Sequence, residues 1–230
     1  MRPHESSRIE AFSDAVFGFA LTLLVVSLEV PQTFDDLMIV VRGFLPFMTT
    51  FATISWLWYE HYAFFKMFGP ADRWTIVLNC ALLFVVLFYV YPLKFLYTLV
   101  VGSLLGENGF ERAFSREGDG VRLMSIYGMG FILLFVIFAL LYANVWRRRR
   151  EMQLTPLEAH DARTGAISHV LAASVGVLSI VIVLAGGDAF AMWSGLSYSL
   201  LGPVLGTWGY FAGREREKVK GQTSNVESKV

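Results

Sequence analysis

Few residues in this chain can do chemistry, and almost all of them border apolar stretches. Arg8, Ser13 and Asp14 open the first such stretch, Glu60 and His61 stand side by side near the end of the second, and Asn79 lies early in the third. His160 and Asp161 precede the fifth. Two of these groups are adjacent acid–histidine pairs, the residue types of general acid–base catalysis. Neighbours on a helix diverge by about 100°, so neither Glu60-His61 nor His160-Asp161 converges on one reacting atom. No HExxH, GxSxG or paired-aspartate motif accompanies them. No enzymatic activity is expected. The single cysteine, Cys80, lies in an apolar run, which excludes an intrachain disulfide and a cysteine-based zinc site. No metal and no cofactor are expected. What remains is a set of polar and ionisable groups at the edge of hydrocarbon, where such groups mark ion pathways or ties between helices.

The elements that carry them are membrane helices. Of the 230 residues 55% are hydrophobic, and the mean hydropathy is +0.54, more than one soluble core requires. A bilayer core of about 30 Å takes roughly 20 apolar helical residues. Six runs approach that length, at about 14–30, 37–62, 74–100, 121–146, 164–186 and 189–212. VLNCALLFVVLFYVY and FILLFVIFALLYANVW are apolar all round, which excludes the alternating pattern of a membrane β-barrel. The fold class expected is an all-α integral membrane protein of six transmembrane helices. The first run follows fourteen polar and charged residues and ends without a small-residue cleavage site, so it reads as a mature helix and not a signal peptide.

Net charge is zero, and the charges cluster between apolar runs, so they describe topology and not affinity for nucleic acid. With the N-terminus inside, cytoplasmic segments hold fourteen of the nineteen Lys and Arg, among them Arg147–Arg150. External segments hold only Arg112, Arg116 and Arg122, and Arg42 and Lys94 fall within helices near their outer ends, where they snorkel. The bias places both termini in the cytoplasm of a plasma (inner) membrane protein. Arg147–Arg150 reads as a stop-transfer anchor, with an anionic-lipid site as a second reading. Residues 1–213 form the expected membrane domain. The outer loop 101–121 is expected to be irregular, and a basic cytoplasmic tail, 214–230, to be disordered. Pro46 and Pro92 offer kinks.

On a helix wheel Arg8, Phe12, Ala15, Phe19, Thr22, Leu23, Val26 and Val30 fall within about 60° of one direction. The stripe is cationic at the inner mouth and apolar above, with one hydroxyl. Ser13 and Asp14 point elsewhere. A carboxylate at the hydrocarbon edge costs a few kcal/mol unless paired or hydrated, so Asp14 requires a partner from another helix or subunit. At its depth the topology supplies Glu60, His61 and Asn79. The expectation is an inner-leaflet network of Arg8, Ser13, Asp14, His61 and Asn79 that locks the first helix to its neighbours. An N-cap role for Ser13 or Asp14 is the simpler alternative. His61 reads either as a proton-sensitive group or as one member of an aromatic belt with Trp56, Trp58, Tyr59 and Tyr62.

Arg8, Phe12, Ser13 and Asp14 match the pattern R-x-x-x-F-S-D, and with it the chain resembles the potassium-channel family of the lysosomal transmembrane protein 175 and its bacterial relatives. Six helices, WLWYEHY at the end of the second and Asn79 near the start of the third extend the likeness to a single-repeat bacterial form. The resemblance implies a homotetramer with the first helices around a fourfold axis, passing K⁺ and other monovalent cations with weak selectivity. It implies an apolar constriction at Phe19, Leu23 and Val26 and an influence of Thr22 on ion preference. Phe19 stands where the family more often has Ile or Leu. No TVGYG-type carbonyl filter is present. An ion-coupled secondary transporter is the alternative; discontinuous helices and a midplane carboxylate would mark it.

Overall fold

The structure, a computed structural model, describes residues 8–26, 30–69, 72–106 and 116–227, with side chains through residue 221. Residues 27–29, at the end of the expected first run, and 107–115, the centre of the expected outer loop, lie outside the described residues. All the long elements are helices. They are α1 (Arg8–Val26), α2 (Phe34–Arg42), α3 (Phe44–Phe68), α4 (Arg73–Leu104), α5 (Asp119–Arg147), α6 (Pro156–Gly186), α7 (Ala191–Leu196) and α8 (Leu201–Glu227). The chain divides into two compact units, residues 1–70 with 79–119, and residues 71–78 with 120–230.

In the first unit α1 buries Ser13, Phe17, Ala20 and Leu24, one face at helical spacing, and packs against α3. Ile54, Leu57, Phe64 and Phe65 of α3 and Leu82, Val86 and Val90 of α4 complete the core of this unit. The second apolar run is two helices. α2 starts on a capping box, in which the Thr33 hydroxyl accepts from the Asp36 N–H and the Asp36 carboxylate accepts from the Thr33 N–H. It then bends by 42° at Gly43 into α3. The break thus falls three residues before Pro46, which is buried in the first turn of α3, where its missing N–H costs nothing. Pro92 sits inside α4, which continues to Leu104.

In the second unit glycines let helices close up. A Cβ on Gly128 of α5 would lie 2.4 Å from Ile180 Cγ1, and one on Gly165 of α6 would lie 2.5 Å from the Tyr142 ring. Residues 156–221 run from helix to helix for 66 residues, roughly 100 Å if straight, three times the hydrocarbon thickness. The chain doubles back instead. Ser179 bonds Ser194, the Trp208 indole N–H donates to the Thr164 carbonyl, and Arg216 pairs with Asp161. The sequence positions of the three pairs converge toward one reversal. That reversal is Gly186–Gly187, where Gly187 has φ 64° and a Cβ on Gly186 would meet the Phe190 ring. 3₁₀ turns at Gly187–Phe190 and Ser197–Leu200 flank α7. The passes are therefore α1, the bent pair α2–α3, α4, α5, α6 and α7–α8, which is the six expected.

The segment 214–230, expected as a tail, is helical in its described part. α8 continues to Glu227, because the Arg216 guanidinium grips Asp161 at 2.8 and 3.0 Å and Arg214 sits 5.8 Å from the centre of the Tyr210 ring. These ties hold a polar helix that lacks an apolar stripe of its own.

Candidate functional site

The two faces of α1 have opposite fates. Ser13, Phe17, Ala20 and Leu24 are buried against the rest of the first unit, whereas Arg8, Phe12, Ala15, Phe19, Thr22 and Val26 are exposed and Leu23 is half-buried. Phe19 is 56% and Val26 76% exposed. The stripe read from the wheel is thus the face the chain leaves uncovered. Thr22 donates its hydroxyl hydrogen to the Phe19 carbonyl at 2.8 Å. The hydroxyl oxygen retains a lone pair for a cation. The apolar side chains around it offer no ligand.

The inner end of α1 is held by a hydrogen-bonded chain through three helices of the same unit. His61 Nε2 lies 2.8 Å from Asn79 Oδ1, the Asn79 amide donates to Ser13 Oγ at 2.9 Å, and the Ser13 hydroxyl donates to the Ile9 carbonyl at 2.8 Å. All three side chains are buried, at 1% exposure or less. The direction is fixed by chemistry. Asn79 spends its amide hydrogen on Ser13, so its oxygen accepts from His61, which carries its proton on Nε2. The imidazole is wedged between Phe17 and Phe65, with ring centres 5.5 and 4.5 Å away. Its Nδ1 is buried and has no hydrogen-bond partner among the described residues.

The expected five-residue network divides. Ser13, His61 and Asn79 lie in one hydrogen-bonded chain, which Asp14 and Arg8 do not join. Asp14 accepts instead from the Trp58 indole N–H at 2.8 Å, and Trp58 stacks on Tyr62 at 5.7 Å, over which the Lys66 ammonium sits at 5.1 Å. Arg8 and Phe12 are exposed, and Arg8 has no ion-pair partner among the described residues. The physical reason is direction: Ser13 and Asp14 are adjacent and point about 100° apart. The sequence presents Trp58 only as a belt aromatic. Its spacing of three from His61 puts both on one face of α3, and an indole is a donor able to meet a carboxylate at the interface.

A further cluster is invisible in the sequence. In the second unit Asp72 caps α4, accepting from the N–H and the hydroxyl of Thr75, and also receives the Asn144 amide at 3.0 Å and Arg148 at 2.9 Å. Partial burial opposes the charge of Asp72, but these four donors outweigh it and hold the carboxyl below its ordinary range. Arg148 is further shared with Glu151, whose carboxyl is lowered by that hydrogen bond. Among the described residues no group of three or more His, Cys, Asp or Glu side chains is placed to hold a metal ion.

These features have counterparts in known proteins. The family model described as the endosomal/lysosomal potassium channel TMEM175 matches residues 8–89, which include α1 and the whole His61–Asn79–Ser13 chain. A protein of Marivirga tractuosa named as a potassium channel is 36% identical over 227 residues, spanning 95% of this chain and 92% of the relative. A potassium channel of Chamaesiphon minutus is 36% identical over 178 residues, 62% of this chain and 87% of its own length. The crystal structure of a point variant of the potassium channel MtTMEM175, in complex with a nanobody fusion protein, is 36% identical and superposes with a TM-score of 0.82 over 93% of this chain and 96% of that one. With a fold and a sequence shared across nearly the full length of such relatives, the chain belongs to the TMEM175 family.

Proposed function

We propose that this chain is a potassium channel, permeable to K⁺ and weakly selective among monovalent cations, whose pore is lined by the uncovered face of α1 in a homotetramer. The observation that carries the proposal is the division of α1 into a face packed on α3 and an opposite face, Phe12, Phe19, Thr22 and Val26, that the described residues leave exposed. The names of the similar proteins point the same way. Phe19, Leu23 and Val26 form the constriction. An apolar ring closes by dewetting, since an ion shedding water there finds no replacement ligand, and conduction requires the ring to widen. Thr22 supplies partial solvation beside it, which favours the more cheaply dehydrated cation, K⁺ over Na⁺. The chain Ser13–Asn79–His61 and the pair Asp14–Trp58 hold the inner end of α1 in register. Arg8 sits at the inner mouth, and both termini are cytoplasmic, following the positive charges.

The coupled-transporter reading gains no support from burial. Among the described residues the buried polar side chains are Ser, Thr, His and Asn, with no carboxylate to bind a coupling ion. The test is flux in reconstituted liposomes under K⁺ and Na⁺ gradients. Phe19→Ala raises uncoupled K⁺ flux by about tenfold, the effect of ~1.4 kcal/mol removed from the barrier. Saturable counter-ion-coupled flux insensitive to Phe19 would establish the transporter instead.

A further inference from the structure

At the end of the α6–α8 hairpin lies a histidine that none of the interactions above employs. His160 is on the second turn of α6. Both of its ring nitrogens are shielded from solvent, and neither has a hydrogen-bond partner among the described residues. Each nevertheless lies within 4 Å of a carboxylate: Nδ1 is 3.5 Å from Asp161 Oδ1, and Nε2 is 3.8 Å from Glu215 Oε2 on α8. A neutral imidazole has one N–H and one lone pair. In this setting one nitrogen therefore presents its lone pair to a carboxylate, a repulsive contact, while the other leaves a donor unused. A proton removes both faults at once, because it makes both nitrogens donors facing anions.

We propose that His160 is a pH-dependent latch that fastens the polar extension of α8 to α6. Two ties then cross between the helices with opposite polarity. Arg216 of α8 already holds Asp161 of α6, and protonated His160 of α6 holds Glu215 of α8. The first persists through the neutral range, since the Asp161 hydrogen bond raises the already high Arg216 value. The second switches, because histidine changes charge between about pH 5 and 8. Among the described residues no other cation pairs with Glu215, and Arg163, one turn along α6, is exposed. Glu158 is engaged in the Thr155 capping box, and Arg214 lies over Tyr210. α5 faces α6 here with the Tyr142 ring against Gly165, and its Arg147 and the following Arg148 are held by Asn144, Asp72 and Glu151.

The sign follows from linkage. The charged imidazole meets Glu215 only when the extension is docked, so docking strengthens as pH falls and weakens as it rises. The proposal does not depend on the conduction reading, and its test does not measure flux. A nitroxide is placed at the exposed Lys218 as Lys218→Cys on a Cys80→Ser background, in full-length protein in lipid nanodiscs, and its mobility is recorded at pH 5.5 and 8. The ratio of immobile to mobile components rises about two- to fivefold at pH 5.5, the range of one partly exposed ion pair. His160→Gln abolishes the change, as does Glu215→Gln, a substitution at a largely exposed position that leaves the helix intact. A mobility independent of pH in the parent, or a pH response that survives in either variant, would overturn the latch.

Discussion

Asn79 carries more of the inner end of α1 than any other single side chain, because it joins side chains of two other helices, Ser13 of α1 and His61 of α3. Asn79→Leu leaves the Ser13 oxygen without its donor and the His61 Nε2–H without its acceptor, both in a dry environment. Each orphaned group costs about 1–3 kcal/mol, so the variant loses roughly 2–6 kcal/mol, read as a lowered melting midpoint in detergent. Asn79→Ser, which keeps a donor and an acceptor on a shorter arm, recovers part of the loss. An unchanged midpoint in the leucine variant would remove the network from the stability of the protein. Sequence identified Ser13, His61 and Asn79 because membrane depth can be counted along a helix. It misplaced Asp14 and Arg8 because equal depth does not imply equal direction, and Trp58 as a donor was hidden by its resemblance to any interfacial tryptophan.

Helices are joined here by two contrasting devices, the close approach of glycine surfaces and the polar ties at their ends. At Gly128 a methyl group meets Ile180 at Cγ1, an atom near the base of a branched side chain, so Gly128→Ala destabilises by about 1–3 kcal/mol. Gly213 of α8 has nothing within 4 Å of its missing Cβ, and Gly213→Ala stabilises by about 0.5–1 kcal/mol through helix propensity. Comparing the two midpoints separates crowding from propensity. The Asp72 cap gives a pH signature. Its folded carboxyl titrates below the ordinary value, so its contribution is complete above about pH 4, the unfolded value. It is lost as pH falls through the lower folded value. The difference in melting midpoint between the parent and Asp72→Asn is therefore large at pH 7 and shrinks toward pH 3; a constant difference would show that the charge is not what Asp72 contributes. The six apolar passes were legible from length and hydropathy. The bend at Gly43 and the helical course of 214–227 were not, since the first is a choice between Gly43 and Pro46 made by packing, and the second depends on Asp161, some fifty residues away.

In the proposed channel a single chain supplies only one wall of the ion path. Of its long apolar stretches α1 buries the smallest share within the chain, 22% against 33% to 44% for the others, and the residues it leaves open form the stripe from Phe12 to Val26. Lipid covers such a face without difficulty, so exposure alone does not distinguish a lipid-facing helix from a pore-lining one. The hydroxyl of Thr22 within the stripe and the polar anchoring of the opposite face favour the pore, and a pore built from one helix per chain demands several copies around a closed axis. Under that arrangement Val26 faces its own copies, whereas Phe84 of α4, equally open at 71% exposure, faces lipid. With Cys80 replaced by Ser, Val26→Cys should join subunits through a short bifunctional maleimide in native membranes. Phe84→Cys treated alike should remain monomeric on denaturing gels, and the undenatured assembly should weigh four times the 25.9 kDa chain. Linkage at residue 84 but not at 26 would turn α1 outward to the bilayer and move the ion path to another helix.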